Sequence, residues 1–477
     1  MDFDILGKDA LKKMRIALIM PGRGQIHGRL QDLPEESSRP GRPWMPPGSL
    51  LEVAGMTPKD YQVVIWDELA RGPLTEKNLP EADLYGLSGL STSRYGAFRA
   101  ADLIRRCGKK VVAGGMDVTG HFSEGHGQEL LGHYDSVVVG RLTSRLWARV
   151  LADFAKGRLE QVYQADPSEP WEFAIPRHDL LNPKDYFLPA VIRSSAGCNQ
   201  GCPFCTVHLV IGGRTIYCKP ANILEQELSL LPRSRYLVDS SDSFGTDYRH
   251  TIDVVLPLLR DQGRPWFTEI TIKNLLGIDG DRERLIEPMA QNGCAGVYLG
   301  IENINERVSR KSLSQELTEE AISRSHDAGF LVLGSFILDV TGNETRESIE
   351  RTVEWGIEQK LDFAQFSLLA LLPGSISRRI ALNQGRVIDN NPEHLDGAWP
   401  TIEHPMSVKE RIERLHWAYR ETYSLANIRQ RLVGLSHTHL GRRALVAAAN
   451  IQIHRSSARW ERNAGYDYWL ATREHVS

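Results

Sequence analysis

Short apolar runs alternate with helical stretches twice along this 477-residue chain, and that order admits little besides a parallel α/β architecture. In the first part RIALIM (15–20), YQVVIW (61–66), LYGLSGL (84–90), KVVAGG (110–115) and SVVVG (136–140) read as buried strands. Helix-like stretches such as 47–54 and 95–107 lie between them. Residues 1–165 are therefore expected to form a doubly wound parallel sheet of Rossmann type. Ligands of such sheets lie over the carboxyl ends of the strands. The candidate edge segments are 21–24, 88–93 and 114–119, whose glycines would serve equally well to close tight turns. The proline-rich stretch 22–48 is long and aperiodic, and reads as an excursion or a ligand-covering loop. Pro167, Pro170, Pro176 and Pro183 break any long helix, so a linker is expected at 166–185.

The second series comprises RYLVDSSDSF (235–244), TEITIKN (268–274), GVYLGIEN (296–303), FLVLGSFILD (330–339) and DFAQFSLL (362–369). Charged helical stretches separate most of them, which predicts a partial (β/α)6-type barrel over 186–395 with its site at the strand ends. A helical C-terminal region is expected at 396–477. With 41% hydrophobic and 25% charged residues, collagen-like, coiled-coil and wholly disordered chains are excluded. The balance of 57 Lys+Arg against 60 Asp+Glu indicates no polyanion partner, so no nucleic acid is expected. The N-terminus lacks a signal-peptide pattern, and no apolar run approaches the roughly 18 residues of a membrane span. A soluble, cytoplasmic protein without a membrane partner is expected.

Three of the six cysteines, Cys198, Cys202 and Cys205, crowd into one short loop, while Cys107, Cys218 and Cys294 stand apart. In a reducing compartment such crowding points to a metal or redox site. Three thiolates spaced C-x3-C-x2-C can hold three irons of a cuboidal [4Fe–4S] cluster and leave the fourth open. A zinc site completed by His208 is the competing reading, and a thioredoxin-like Cys202–Cys205 pair lacks a long helix behind it.

The loop resembles the C-x3-C-x2-C signature of the radical S-adenosylmethionine (SAM) superfamily, and Phe204 matches the aromatic usual before its third cysteine. Gly300-Ile301-Glu302, Gly342-Asn343-Glu344-Thr345 and Leu372-Pro373-Gly374 resemble further stretches of that family, in the family's order. The resemblance implies that Cys198, Cys202 and Cys205 ligate the cluster and that the open iron binds the amino and carboxyl groups of SAM. Electron transfer then cleaves SAM to methionine and a 5′-deoxyadenosyl radical. The first domain followed by the barrel is similar to the subgroup that carries a cobalamin-binding domain. Two departures stand out: Asp117 replaces the histidine of Gly-Gly-x-His-x-Thr, and Val139-Gly140-Arg141-Leu142 replaces a Gly-Glu-Gly-Glu run. The domain is then expected to persist as a scaffold, or to hold cobalamin through backbone contacts.

The barrel's strand ends are rich in polar residues. Phe204, Ser241, Glu302, Asn303, Asp339 and Gln365 are candidate cofactor contacts. By the period of two, Glu269, Thr271 and Lys273 share one strand face, and Glu269 with Lys273, or Asp239 with Asp242, are the candidate acid and base. This surplus of polar groups suits a polyol or amino-sugar substrate. The nearest analogy is the radical diol dehydratases of aminoglycoside (apramycin-type) biosynthesis, which implies dehydration with a partner reductase completing deoxygenation. The alternatives are a cobalamin-dependent radical SAM C-methyltransferase of natural-product or lipid biosynthesis and a non-enzymatic iron–sulfur carrier or sensor. Cys218 reads as a bystander, a radical-quenching thiol or a small buried residue. Residues 401–477 hold 12 Lys+Arg against 7 Asp+Glu. They read as a solvated helical cap, or as a docking face for an acidic electron donor such as flavodoxin.

Overall fold

The structure is a computed structural model that describes residues 14–23, 42–278, 283–306, 308, 312–434, 440–460 and 465–474. Most of the 22–48 excursion (24–41) lies outside the described residues. The chain divides into two units. The first comprises Met1–Ile192, Thr206–Ser234 and Leu372–Ser375, and the second comprises Arg193–Cys205, Arg235–Leu371 and Ile376–Ser477.

In the first unit every apolar run singled out in the sequence forms a strand: β1 (Arg15–Met20), β2 (Gln62–Asp67), β3 (Leu84–Ser88), β4 (Lys110–Gly114) and β5 (Ser136–Val139). A sixth, β6 (Val162–Gln164), completes a sheet of order β2-β1-β3-β4-β5-β6. All its pairings are parallel. Such a sheet buries both faces, and the β-period of two sorts its side chains. Ala17 and Ile19 pack with Ala100, Ala101 and Ile104 of the helix Arg94–Arg106. Ile16 and Leu18 pack on the other face with Leu50, Leu51, Trp147 and Val150. The strand order reverses between β1 and β3, which puts the ligand crevice of such a sheet at the Pro21 and Ser88 ends. Three short strands, β7 (Val191–Ile192), β8 (Ser195–Ala196) and β9 (Tyr217–Cys218), follow in the chain.

In the second unit β10 (Leu237–Phe244), β11 (Trp266–Ile270), β12 (Cys294–Glu302), β13 (Leu331–Ile337) and β14 (Phe363–Ser367) lie side by side in the order β14-β13-β12-β11-β10. Their pairings are parallel throughout, and helices follow the strands in barrel fashion. One expectation fails here. TEITIKN does not continue as a strand past Ile270: the Thr271 side chain accepts from the Asn274 amide at 3.2 Å and caps the helix Ile272–Leu276. A threonine that satisfies an orphan amide starts a helix as readily as it extends a strand. Lys273 therefore sits on a helix and shares no strand face with Glu269.

The C-terminal region is helical, with Val408–Thr422, Leu425–Gly434, Leu440–Trp460 and Gly465–Thr472. Its first helix closes the outer edge of the barrel sheet. The Tyr423 hydroxyl accepts from the Ala364 amide at 2.9 Å and donates to its carbonyl at 2.8 Å, and Tyr419 does the same at Phe366 with 3.1 and 2.9 Å. Burial pushes both phenols above their ordinary range, so they stay neutral donors. A buried Arg411–Asp339 pair at 3.0 Å joins the same helix to the end of β13. Among the described residues no helix is long and apolar enough to cross a membrane.

Replacing both hydroxyls (Tyr419→Phe with Tyr423→Phe) leaves four backbone groups of β14 without these partners. We expect a loss of about 1–3 kcal/mol per site and faster amide hydrogen exchange at Ala364 and Phe366, while exchange in β12 is unchanged.

Candidate active site

The cysteine loop begins where β8 ends, and the polar end of β10 holds it. The β10–β11 register shifts between Asp239 and Phe244, and this irregularity re-aims the residues between them. Asp239 Oδ1 accepts from the Ser194 amide at 3.3 Å and Ser241 Oγ accepts from the Ser195 amide at 2.9 Å. Asp242 Oδ2 accepts from the Gly197 amide at 2.7 Å, directly before Cys198. Ser241 in turn donates to Asp239 at 2.6 Å. Farther along, the Cys205 amide bonds to the Cys202 carbonyl at 3.1 Å, and the Ser377 amide bonds to Pro203 at 2.9 Å. Phe204 packs against Leu369, Leu371 and Ile402. Cys202 is buried, Cys198 and Cys205 are half-buried, and none forms a disulfide. A thiol-only donor set on one loop, with its backbone fixed from outside, fits the three-cysteine side of an iron–sulfur cluster.

Sequence reading singled out Asp239, Ser241 and Asp242 as reacting or cofactor-contacting groups; in the structure their side chains hold loop amides. Two residues it did not single out support them. Buried Asn274 donates to the Phe244 carbonyl at 2.9 Å and to Thr246 at 3.1 Å, tying the end of β10 to the helix after β11. His250 bonds to the backbone of Ser194, and burial holds its imidazole below the ordinary range.

One face of the barrel sheet is open. Glu269 pairs with Tyr298 across β11 and β12, and Ser335 pairs with Gln365 across β13 and β14. The Tyr298 hydroxyl donates to Gln365 at 3.3 Å. Tyr298 lies inside an apolar run, and only its register with Glu269 signals that it faces the same way. At the end of β12, Glu302 has φ +67°, a left-handed conformation that non-glycine residues adopt at a cost. Asn303 donates to Glu344 at 3.2 Å. Burial works against ionisation of Glu344, yet His404 and the Thr341 amide hold its carboxyl below the ordinary range. Asp339 accepts from the Leu369 amide at 2.6 Å and from Arg411. Lys273 is half-buried, as is Cys218 in β9.

The carboxyl edge of the first unit's sheet has its own cavity, lined by residues that include Ser88, Gly89, Leu90, Arg94, Gly114, Asp117 and Tyr134. Gly115 has φ +97°, and a Cβ there would lie 2.5 Å from Ser88 Oγ, so the turn admits only glycine. Asp117 is ion-paired with Arg94 at 2.6 and 3.0 Å and offers no imidazole. At the second departure, Arg141 lies over the rings of Trp171 and Tyr217, 5.1 and 4.9 Å from their centroids. Position 117 thus offers no imidazole, and a corrinoid at this edge would have to be held by backbone contacts.

Residues 192–356 match the sequence model of the Radical SAM superfamily. An uncharacterized methyltransferase from Pyrococcus horikoshii is 26% identical over 406 residues, which cover 78% of this chain and 86% of that protein. Bacteriochlorophyllide d C-12(1)-methyltransferase from Chlorobaculum tepidum is 24% identical over 344 residues, 69% of this chain and 72% of that one. The radical SAM methyltransferase TsrM from Kitasatospora setae, solved with cobalamin and a [4Fe–4S] cluster bound, superposes with a TM-score of 0.59. The identity is 14%, and the match covers 94% of this chain and 100% of TsrM. The cobalamin-dependent radical SAM enzyme OxsB gives a TM-score of 0.60 at 13% identity, covering 93% of this chain and 71% of OxsB. The chain is therefore an enzyme with a radical SAM domain over residues 192–356, preceded by a doubly wound parallel sheet.

Asp239 provides a test of the loop's support. Burial raises its carboxyl above the ordinary range, and Oδ2 has no hydrogen-bond partner. A neutral acid favoured by the fold gives its full stability below the unfolded pKa, near 3.9, and loses it as pH rises toward the raised folded value, by about 1.4 kcal/mol per unit. Asp239→Asn removes this dependence. In denaturant titrations from acid to neutral pH, the variant should gain on the parent as pH rises; a constant difference would mean that Asp239 titrates normally.

Proposed function

We propose that the protein is a cobalamin-dependent radical SAM C-methyltransferase. The observation that carries this reading is the first unit's flavodoxin-like strand order, with Gly89, Gly114 and Gly115 at its carboxyl edge, in a chain that also holds the three-cysteine loop. The overall likeness to methyltransferases favours this alternative over dehydration, for which nothing beyond the polar barrel speaks. A bound [4Fe–4S] cluster supplies the electron that cleaves SAM, and a bound corrinoid supplies a cobalt-carried methyl group.

The chain's own residues would do the following. Cys198, Cys202 and Cys205 would hold the cluster, with Asp239, Ser241 and Asp242 fixing the loop's amides so that the thiolates do not drift. Gly89, Gly114 and Gly115 would let a corrin ring approach the backbone. With Asp117 committed to Arg94, cobalt would receive no imidazole from that position. Glu302 and Asn303, at the end of β12 where Glu302 takes a left-handed conformation, would contact SAM. Glu269, Tyr298 and Gln365, on the same face of the barrel sheet, would bind a substrate bearing hydroxyl or amino groups.

Two measurements test the proposal. Protein produced with cobalamin uptake should carry about one corrinoid per chain, read from its absorption spectrum. With SAM and reductant under anaerobic conditions, the reconstituted protein should release 5′-deoxyadenosine and S-adenosylhomocysteine, and an acceptor should gain the mass of one methylene. Alanine at Cys198, Cys202 or Cys205 should abolish 5′-deoxyadenosine release. Absence of corrinoid together with loss of water from an amino-sugar substrate would restore the dehydratase reading.

A further inference from the structure

A histidine-rich turn follows the helix Met116–Ser123 in the first unit, and neither the cluster loop nor the corrinoid edge uses it. Its chain folds back tightly: the amides of Glu124 and His126 both bond to the His121 carbonyl, at 3.2 and 3.3 Å. Ligand atoms of His121, Glu124 and His126 then lie within 4.8 Å of one another. The His121 and His126 rings stack with centroids 4.4 Å apart.

The state of His121 distinguishes this cluster from an ordinary polar turn. His121 is 5% exposed, and its Nε2 lies 2.7 Å from a carboxylate oxygen of Glu129. A carboxylate accepts, so in the neutral ring Nε2 carries the proton and Nδ1 keeps its lone pair. That Nδ1 is buried and has no hydrogen-bond partner. A buried acceptor without a donor is costly unless something electrophilic meets it. A histidine that donates one nitrogen to a carboxylate while offering the other is the usual arrangement of a metal-bound imidazole. Glu124 contributes a carboxylate already oriented at one oxygen by the Gly374 amide, at 2.7 Å.

We propose that His121, Glu124 and His126 form a binding site for a divalent transition ion of the zinc type, with Glu129 as the positioning residue behind His121. Two imidazoles and one carboxylate are a borderline donor set that suits zinc and leaves a fourth position open. Tetrahedral ligation at ~2.0–2.2 Å sets donor atoms closer together than the present outer limit. His126 is exposed and able to turn inward, while buried His121 stays fixed and Glu124 is held at one oxygen by Gly374.

The test uses the cluster-loaded full chain under anaerobic conditions, equilibrated with buffered free Zn2+ and analysed for bound metal. One zinc per chain is expected, with only nitrogen and oxygen neighbours in its X-ray absorption spectrum. His126→Ala and Glu124→Gln should each weaken binding at least tenfold while circular dichroism stays unchanged. Glu129→Ala should also weaken it, by ~10–100-fold, through loss of the imidazole's orientation. Sulfur neighbours would place the zinc at cysteines and overturn the proposal, as would equal affinity in the exposed-site variant His126→Ala. No zinc binding by the parent at micromolar free metal would overturn it too.

Discussion

A sharp loop cannot satisfy its own backbone amides, and the cysteine loop depends on side chains of a neighbouring strand for that purpose. Asp239, Ser241 and Asp242 accept from three amides at its start. These bonds fix where Cys198 begins and, through the short spacing, where the other thiols can reach. Side-chain acceptors at a strand irregularity suit the task, because the regular ladder would claim the backbone acceptors. The arrangement also manages charge. With a cluster bound, the thiolates and sulfides would make an anionic neighbourhood, and a second buried anion there would be repelled. Burial favours the neutral form of Asp239, which keeps its acceptor oxygen while shedding the charge.

The two sheets solve different problems with the same parallel ladder. In the first unit both faces of the sheet are covered among the described residues, and Ser88, Gly89 and Gly114 stand beyond the strand ends. In the second unit one face stays open, and Glu269, Tyr298 and Gln365 line it. The first arrangement would recognise a ligand by its backbone, and the second by side-chain hydrogen bonds.

Both sheets were legible in the sequence because a parallel strand buried on both sides is written as a short apolar run, as in RIALIM and SVVVG. The cysteine loop was legible because its spacing carries the chemistry. The break after Ile270 was not: Thr271 fits an extended strand and a helix cap equally well, and only its bond to Asn274 decides. The work of Asp239 and Asp242 was hidden for a related reason. A carboxylate at a strand end reads as a reacting group, while the amides it holds belong to residues more than forty positions earlier. Tyr298 escaped notice inside an apolar run, since register between strands is a tertiary property.

The paired tyrosines on β14 have a consequence for biosynthesis. Phe363–Ser367 is an apolar edge strand whose outward amides and carbonyls are claimed by residues over fifty positions later. During translation that edge emerges first and waits bare until the helix Val408–Thr422 arrives. A bare apolar edge templates pairing with any other strand, including its own copy on a neighbouring ribosome. The C-terminal helix thus acts as a chaperone supplied in cis. A chain cut short before it would be lost to self-association, even with every strand of the barrel sheet intact.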